Sequence, residues 1–252
     1  MKNRNGRTTE SRRLSNQKLK INVATNLVLG VLVLSVGALC LSPTDGAAMT
    51  SGAETELYRS AGENATGVSL MFNVYWGTEE VYRILDILKN HEARATFFIG
   101  GCWADDNVEC LRAIYAAGHE IGNHGYFHKA HDKLSLVQNQ KEISDCNRFI
   151  ELSVGEAPTL FAPPSGAYAT NTLAACKALN MKTILWSRDT IDWRDKDEKL
   201  IYTRATKNVK CGEFVLMHPM EATANALDGI LTYYKSQGLA AVSVGENLRE
   251  KG

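Results

Sequence analysis

Strand-like runs alternate with amphipathic segments from residue 68 to residue 244, and this alternation limits the fold more than any other feature of the chain. The runs are Val68–Val74, Ala95–Gly100, Glu120–His124, Thr159–Ala162, Thr183–Ser187, Phe214–His218 and Ala240–Val244. Between them lie helix-like stretches: Thr78–His91, Asn107–Ala117, Leu136–Leu152, Asn171–Leu179, Leu200–Lys207 and Glu221–Gln237. In the first stretch Val81, Ile84, Leu85 and Leu88 recur at three-to-four spacing behind Thr78, which is placed to cap the helix. Strands separated by helical crossovers pair in parallel, and a parallel sheet needs helices to cover it. The pattern therefore predicts an α/β fold with seven parallel strands. Closure into a (β/α) barrel is the natural solution at this length, with an open doubly wound sheet as the alternative. Asn73, His124, Pro163 to Gly166, Asp189, Asp192 and His218 all fall just past strand ends. In a parallel barrel that face carries the chemistry.

The first 66 residues follow other rules. Residues 1–21 form a basic tail, with seven Lys or Arg against Glu10 alone. Residues 22–42 carry no charge and are rich in Val and Leu. At about 1.5 Å per residue such a run crosses a hydrocarbon core of roughly 30 Å, and the upstream basic residues orient the body outward. The expectation is a single-pass signal-anchor with an extracytoplasmic domain. Secretion after cleavage near Gly46, Ala47 and Ala48 is the competing reading. Residues 43–66 are small and polar and read as a flexible stalk, leaving 67–252 as the domain. The net charge is zero and no basic stripe marks the body, which argues against a nucleic-acid partner. Oligomeric state is not legible. Five cysteines follow the stalk, none in a Cys-x-x-Cys pair; they read as buried thiols, with a Cys102–Cys110 bridge as the one alternative.

His124-Gly-Tyr-Phe-His128 is the most informative segment. Two imidazoles four residues apart suit one metal ion when both project to the same side, and nitrogen ligands favour zinc or a similar transition metal. His131 fits no further spacing rule, and Asp132 and Lys133 beside it read as surface. No Gly-x-Ser-x-Gly elbow occurs, and Ser165, after two prolines, reads as part of a rigid loop.

The segment Gly118-His-Glu-Ile-Gly-Asn-His124-Gly-Tyr-Phe-His128 closely resembles the histidine motif of polysaccharide deacetylases, carbohydrate esterase family four. Arg94-Ala-Thr-Phe-Phe-Ile-Gly100 resembles the strand before it. Ala162-Pro-Pro-Ser-Gly166 resembles the family's Arg-Pro-Pro-Tyr-Gly loop. Asp189-Thr-Ile-Asp192-Trp193 and Val215-Leu-Met-His218 resemble its last two motifs. The resemblance implies a distorted seven-stranded barrel. It implies His124 and His128 as metal ligands, His218 as the acid that protonates the departing amine, and Asp192 (or Asp189) as its orienting carboxylate. It also implies the Ser165 backbone N–H as an oxyanion donor, with Trp76, Pro164, Tyr168, Trp186 and Trp193 as candidates to face sugar rings, core packing being the expected role of at least two of the four aromatics.

Two departures stand out. The family's Thr-Phe-Asp-Asp-Gly supplies a base and a metal ligand, whereas this chain reads Met71-Phe72-Asn73-Val74-Tyr75-Trp76-Gly77. The Arg that holds the first Asp is Ala162. The three losses are coherent, because a buried guanidinium without its carboxylate is costly. Asn73, at the base position, cannot take a proton. The expected function is a metal-dependent hydrolase, an N-deacetylase acting on carbon–nitrogen bonds other than peptide bonds. It removes N-acetyl or O-acetyl groups from cell-wall polysaccharide such as peptidoglycan with weakened apparatus. Its cofactor is a divalent metal, zinc first, whose third ligand is in doubt among Asn73, Tyr75, Glu79 and Glu80. The alternative is a catalytically inactive, membrane-tethered glycan-binding pseudoenzyme.

Overall fold

The computed structural model describes residues 57–249. The basic tail, the apolar run 22–42 and most of the expected stalk lie outside the described residues. Among the described residues no helix is long and apolar enough to cross a membrane.

Among the described residues nine short strands appear: β1 (Leu57–Tyr58), β2 (Gly67–Val74), β3 (Thr96–Ile99), β4 (Glu120–Asn123), β5 (Leu160–Phe161), β6 (Lys182–Ile184), β7 (Arg188–Asp189), β8 (Phe214–Met217) and β9 (Ala240–Val242). The helices are α1 (Thr78–Asn90), α2 (Gly101–Asp106), α3 (Val108–Ala116), α4 (Leu136–Val154), α5 (Thr170–Ala178), α6 (Asp192–Asp195), α7 (Glu198–Thr206), α8 (Glu221–Ser236) and α9 (Val244–Asn247). All the strand pairs are parallel, in the order β1-β6-β5-β4-β3-β2-β8-β7, with β9 against the start of β2. β6 and β7 belong to one run of chain, which pairs with β5 at its start and with β8 at its end. The sheet thereby curls round on itself as a distorted barrel.

Side-chain alternation divides the core. On β2, Val68, Leu70, Phe72 and Val74 face outward and pack with Val81, Ile84, Leu88, Leu227 and Ile230 of α1 and α8. Met71 faces inward with Phe98, Leu160, Ala162, Ile184, Phe214 and Leu216. Each fully buried side chain of this size contributes about 1.5–3 kcal/mol, so the outer layer, with more of them, holds the helices firmly to the wall.

Several expectations need correction. The polar stretch read as a stalk to residue 66 joins the fold from Leu57: Leu57 and Tyr58 pair with Thr183 and Ile184, and Leu185 donates to the Tyr58 carbonyl at 2.8 Å. A two-residue strand is too short to show a period. Thr78 does not cap α1; Gly77 does, in a left-handed conformation, while Thr78 Oγ1 donates to Asn107 Oδ1 at 2.9 Å. Gly77 is required there, because a Cβ would run into the Pro219 carbonyl. The cysteines are all free among the described residues, including Cys102 and Cys110.

Candidate active site

Period-two alternation places Asn73 above Met71, His124 above Gly122, Ala162 above Leu160 and His218 above Leu216. These four therefore share the innermost position at the C-terminal rim of the barrel. The ladder continues to this level: Gly100 donates to the Val74 carbonyl at 2.9 Å, His124 to Ile99 at 2.9 Å and Ala162 to Asn123 at 2.9 Å. The site consequently sits on strand ends rather than on loose loops.

His124 is buried, and its Nδ1 lies 2.7 Å from the Ala162 carbonyl oxygen. A carbonyl only accepts, so Nδ1 carries the proton and Nε2 keeps its lone pair. Burial first, then the neighbouring His128, pushes the His124 imidazole down to about 3. His128 adopts a left-handed backbone (φ 52°), with its ring centroid 5.1 Å from His124 and 4.7 Å from Tyr75. Burial and His218 lower it too. The loop carrying both histidines is held from two sides. Asn123 Oδ1 accepts the Gly125 N–H at 2.7 Å, and Glu142 of α4 accepts the Phe127 N–H at 2.9 Å and Lys129 Nζ at 2.6 Å.

Asp192 is the carboxylate at His218. It is fully buried and accepts four bonds: from His218 Nδ1 at 2.8 Å, His218 N at 2.6 Å, Trp193 N at 2.8 Å and Thr223 Oγ1 at 2.7 Å. Asp189, the other candidate, instead accepts the Ile191 N–H at 2.8 Å and shapes the turn into α6. With Nδ1 bonded to Asp192, the other ring nitrogen of His218, Nε2, is left out of that pairing. Its ring lies parallel to Trp76 at 5.6 Å.

The predicted sugar-facing residues divide. Trp76 and Trp193 are 42% and 51% exposed on the rim. Trp186 packs beneath the Pro163–Gly166 loop, where a Cβ at Gly166 would meet its ring, and Tyr168 is half-buried near Arg59. Pro164 is buried, while Ser165 is exposed with φ 55°. Phe127, between the two motif histidines and 53% exposed, escaped the sequence reading; its exposure follows only from the turn, which leaves Tyr126 and His128 half-buried. Glu142 escaped as well, since one acid on a mostly polar helix gives no signal.

His131 requires correction. It is fully buried, not on the surface, with Nδ1 2.7 Å from Asn139 Oδ1 and its ring 4.9 Å from Phe161. It braces the histidine loop from behind. The adjoining charged residues concealed this.

The donor set does not fit a firmly held divalent ion. Val74 packs in the outer layer, away from the histidines. Glu79, exposed, and Glu80 lie in the first turn of α1, where acidic side chains favour the helix dipole. Burial, with Cys102 beside it, raises the Tyr75 phenol, so it resists becoming a phenolate. Asn73 is 4% exposed and its Oδ1 has no hydrogen-bond partner. Among the described residues, no three His, Cys, Asp or Glu side chains are placed to hold a metal.

The polysaccharide deacetylase family profile matches residues 61–184. The uncharacterized protein YlxY of Bacillus subtilis is 36% identical over 183 residues, 73% of this chain and 57% of that protein's own length. A peptidoglycan-N-acetylglucosamine deacetylase of Bacillus cereus is 35% identical over 175 residues, 67% of this chain and 82% of the relative. A CE4 family pseudoenzyme from Bacillus anthracis superposes with a TM-score of 0.76 at 35% identity, covering 79% of this chain and 71% of the other. A mutant of that pseudoenzyme with restored enzymatic activity also superposes at 0.76, with 34% identity over 79% and 73% of the two chains.

Proposed function

The chain belongs to the polysaccharide deacetylase family, and on that premise we propose that it binds the acetylated amino-sugar polymer of the cell wall, peptidoglycan, without hydrolysing it. One observation carries this reading: the inward strand ends hold Asn73 where a base would stand, and Val74 points out of the barrel. Hydrolysis of an acetamide needs water activated by a base, a polarised carbonyl and an acid for the leaving nitrogen. On this reading only the acid remains, and the bond between His218 Nδ1 and Asp192 supports that role. Losing the base alone costs about 10²- to 10⁴-fold. A divalent metal, when bound in this family, would polarise the carbonyl and activate water, and two imidazoles without a carboxylate hold such an ion weakly. The similarity to the pseudoenzyme of Bacillus anthracis supports the same reading.

A second reading, the weakened deacetylase, is favoured by the intact Asp192–His218 pair, which a binding protein does not need. The two separate on acetate release from peptidoglycan and chitin-type oligomers with zinc or cobalt supplied. The binding reading expects none above buffer; sustained release abolished by His218→Ala would establish the deacetylase instead.

The reading includes tethering outside the cytoplasm through the apolar run 22–42, supported by its length and basic preface. Protease treatment of intact cells is expected to digest the domain. Protection until lysis would contradict that placement.

A further inference from the structure

We infer that the base of the barrel, the face opposite the rim, carries a second binding site, and that it takes a short peptide bearing both carboxylate and ammonium groups. That this peptide is the stem attached to the glycan strands of peptidoglycan rests on the reading above.

The strands are parallel, so their starts share one face, and α9 lies across it. The Val244 and Gly245 N–H groups donate to Thr96 Oγ1 and Glu120 Oε2 at 2.8 and 2.9 Å, which fixes α9 against the starts of β3 and β4. Beside α9 is a cleft of about 210 Å³ whose charged members are Arg94, Arg249, Glu120, Glu156 and Glu246. The carboxylates are bonded to their surroundings: Glu120 to Thr96 and the Gly245 N–H, Glu156 to Tyr115, Glu246 to the Ser243 N–H. Those bonds leave their charge in place. The two guanidiniums, in contrast, make no ion pair or hydrogen bond among the described residues. His119 also lines the cleft, 6% exposed and with Nδ1 unpartnered. Burial, then Arg94, lowers its imidazole to about 4, so it adds no third positive charge.

A second cleft, of about 600 Å³, adjoins the first through Arg94 and His119, which line both. It follows the ends of α1 and α3, where Leu85, Ala93, Ala116 and Ala117 give it an apolar part beside Asp86, Lys89 and Glu92. The base therefore offers charges of both signs along one partly apolar groove. Three carboxylates repel a bare inorganic anion, two unpaired guanidiniums repel a bare metal ion, and a neutral sugar answers neither set. A short peptide answers both. Its carboxylate pairs with the guanidinium forks, its ammonium lies among the glutamates, and its small side chains lie along the alanines. On this arrangement the barrel holds sugar at one face and peptide at the other.

The test is calorimetric titration of the full-length chain at low salt, where exposed charges are least screened. The probes are stem peptides freed from purified peptidoglycan by an amidase, and the same peptides acetylated at their amines. The free peptides are expected to bind saturably, and acetylation to weaken them about tenfold or more. The double variant Arg94→Gln, Arg249→Gln should weaken them by a similar factor, because it removes charged hydrogen bonds. Both positions are exposed, so the variant is expected to fold, and a thermal melt checks that. The tetramer of N-acetylglucosamine should bind the peptide-saturated chain as it binds the free one. Three results overturn the inference: no binding of the free peptides, binding indifferent to the double variant once folded, or displacement of peptide by the tetramer. The tetramer's own binding then still decides the glycan reading. Peptide binding without any tetramer binding would remove the glycan reading and leave this site standing.

Discussion

At the scale of single residues, the direction of Val74 decides more than its identity. Motif alignment puts it where a metal-binding carboxylate stands in the family, yet the period of β2 sends it outward with Val68, Leu70 and Phe72. That direction was legible in the sequence, because strand alternation alone assigns it. Val74→Asp is therefore expected to bury an unpaired carboxylate in the helix-facing core and to destabilise the fold by about 3 kcal/mol or more. Urea denaturation measures this; a loss below about 1 kcal/mol would mean that the side chain turns inward. His119 supports a second prediction. It is buried against Phe97, its Nδ1 has no partner, and burial lowers it to about 4, with Arg94 adding to the effect. Because the folded value lies below the unfolded one near 6.5, stability is complete above pH 6.5 and declines as the pH falls toward 4. The unfolded chain binds the proton first. His119→Phe should shrink the loss of stability between pH 7 and 5 by about 1–2 kcal/mol. An unchanged pH profile would contradict the assignment.

At the scale of elements, periodic segments were legible and short ones were not. α1, α3, α4, α5, α7 and α8 fall within two residues of their expected bounds, because each is long enough to stand out as a helical stretch between strand-like runs. α2, α6 and α9 span six residues or fewer, and β1 and β7 only two, so no period exists to read. Tertiary contacts make these elements. α2 starts where Gly101 lies under the Tyr126 ring, and its N–H reaches the Gly125 carbonyl at 3.0 Å. The histidine loop likewise depends on a helix distant from it in sequence. Glu142 of α4 secures its Phe127 N–H and Lys129, and Asn139 of the same helix secures His131. Glu142→Gln is expected to keep the fold, to speed amide exchange at residues 125–129 about tenfold or more, and to weaken glycan binding. Unaltered exchange there would remove α4 from the account of the site.

At the scale of the whole molecule, the family relationship and a barrel were legible from ordered motifs and the strand-helix alternation, while the segments that close the barrel were not. Closure uses one run of chain, 182–189, that leaves β5 and arrives at β8, together with β1 from the stretch expected to be a stalk. A chain starting at Gly67 lacks β1 and the Leu185–Tyr58 bond, and is expected to melt several degrees below one starting at Glu56. Equal melting temperatures would make β1 an accessory. The central claim is that this barrel binds glycan with its own side chains and without chemistry. Calorimetric titration of an acetylated chito-oligomer into the full-length chain, with and without a strong chelator, tests it most directly. The account predicts saturable binding of the same affinity in both; binding that vanishes with the chelator would contradict it and return a metal to the centre of the site.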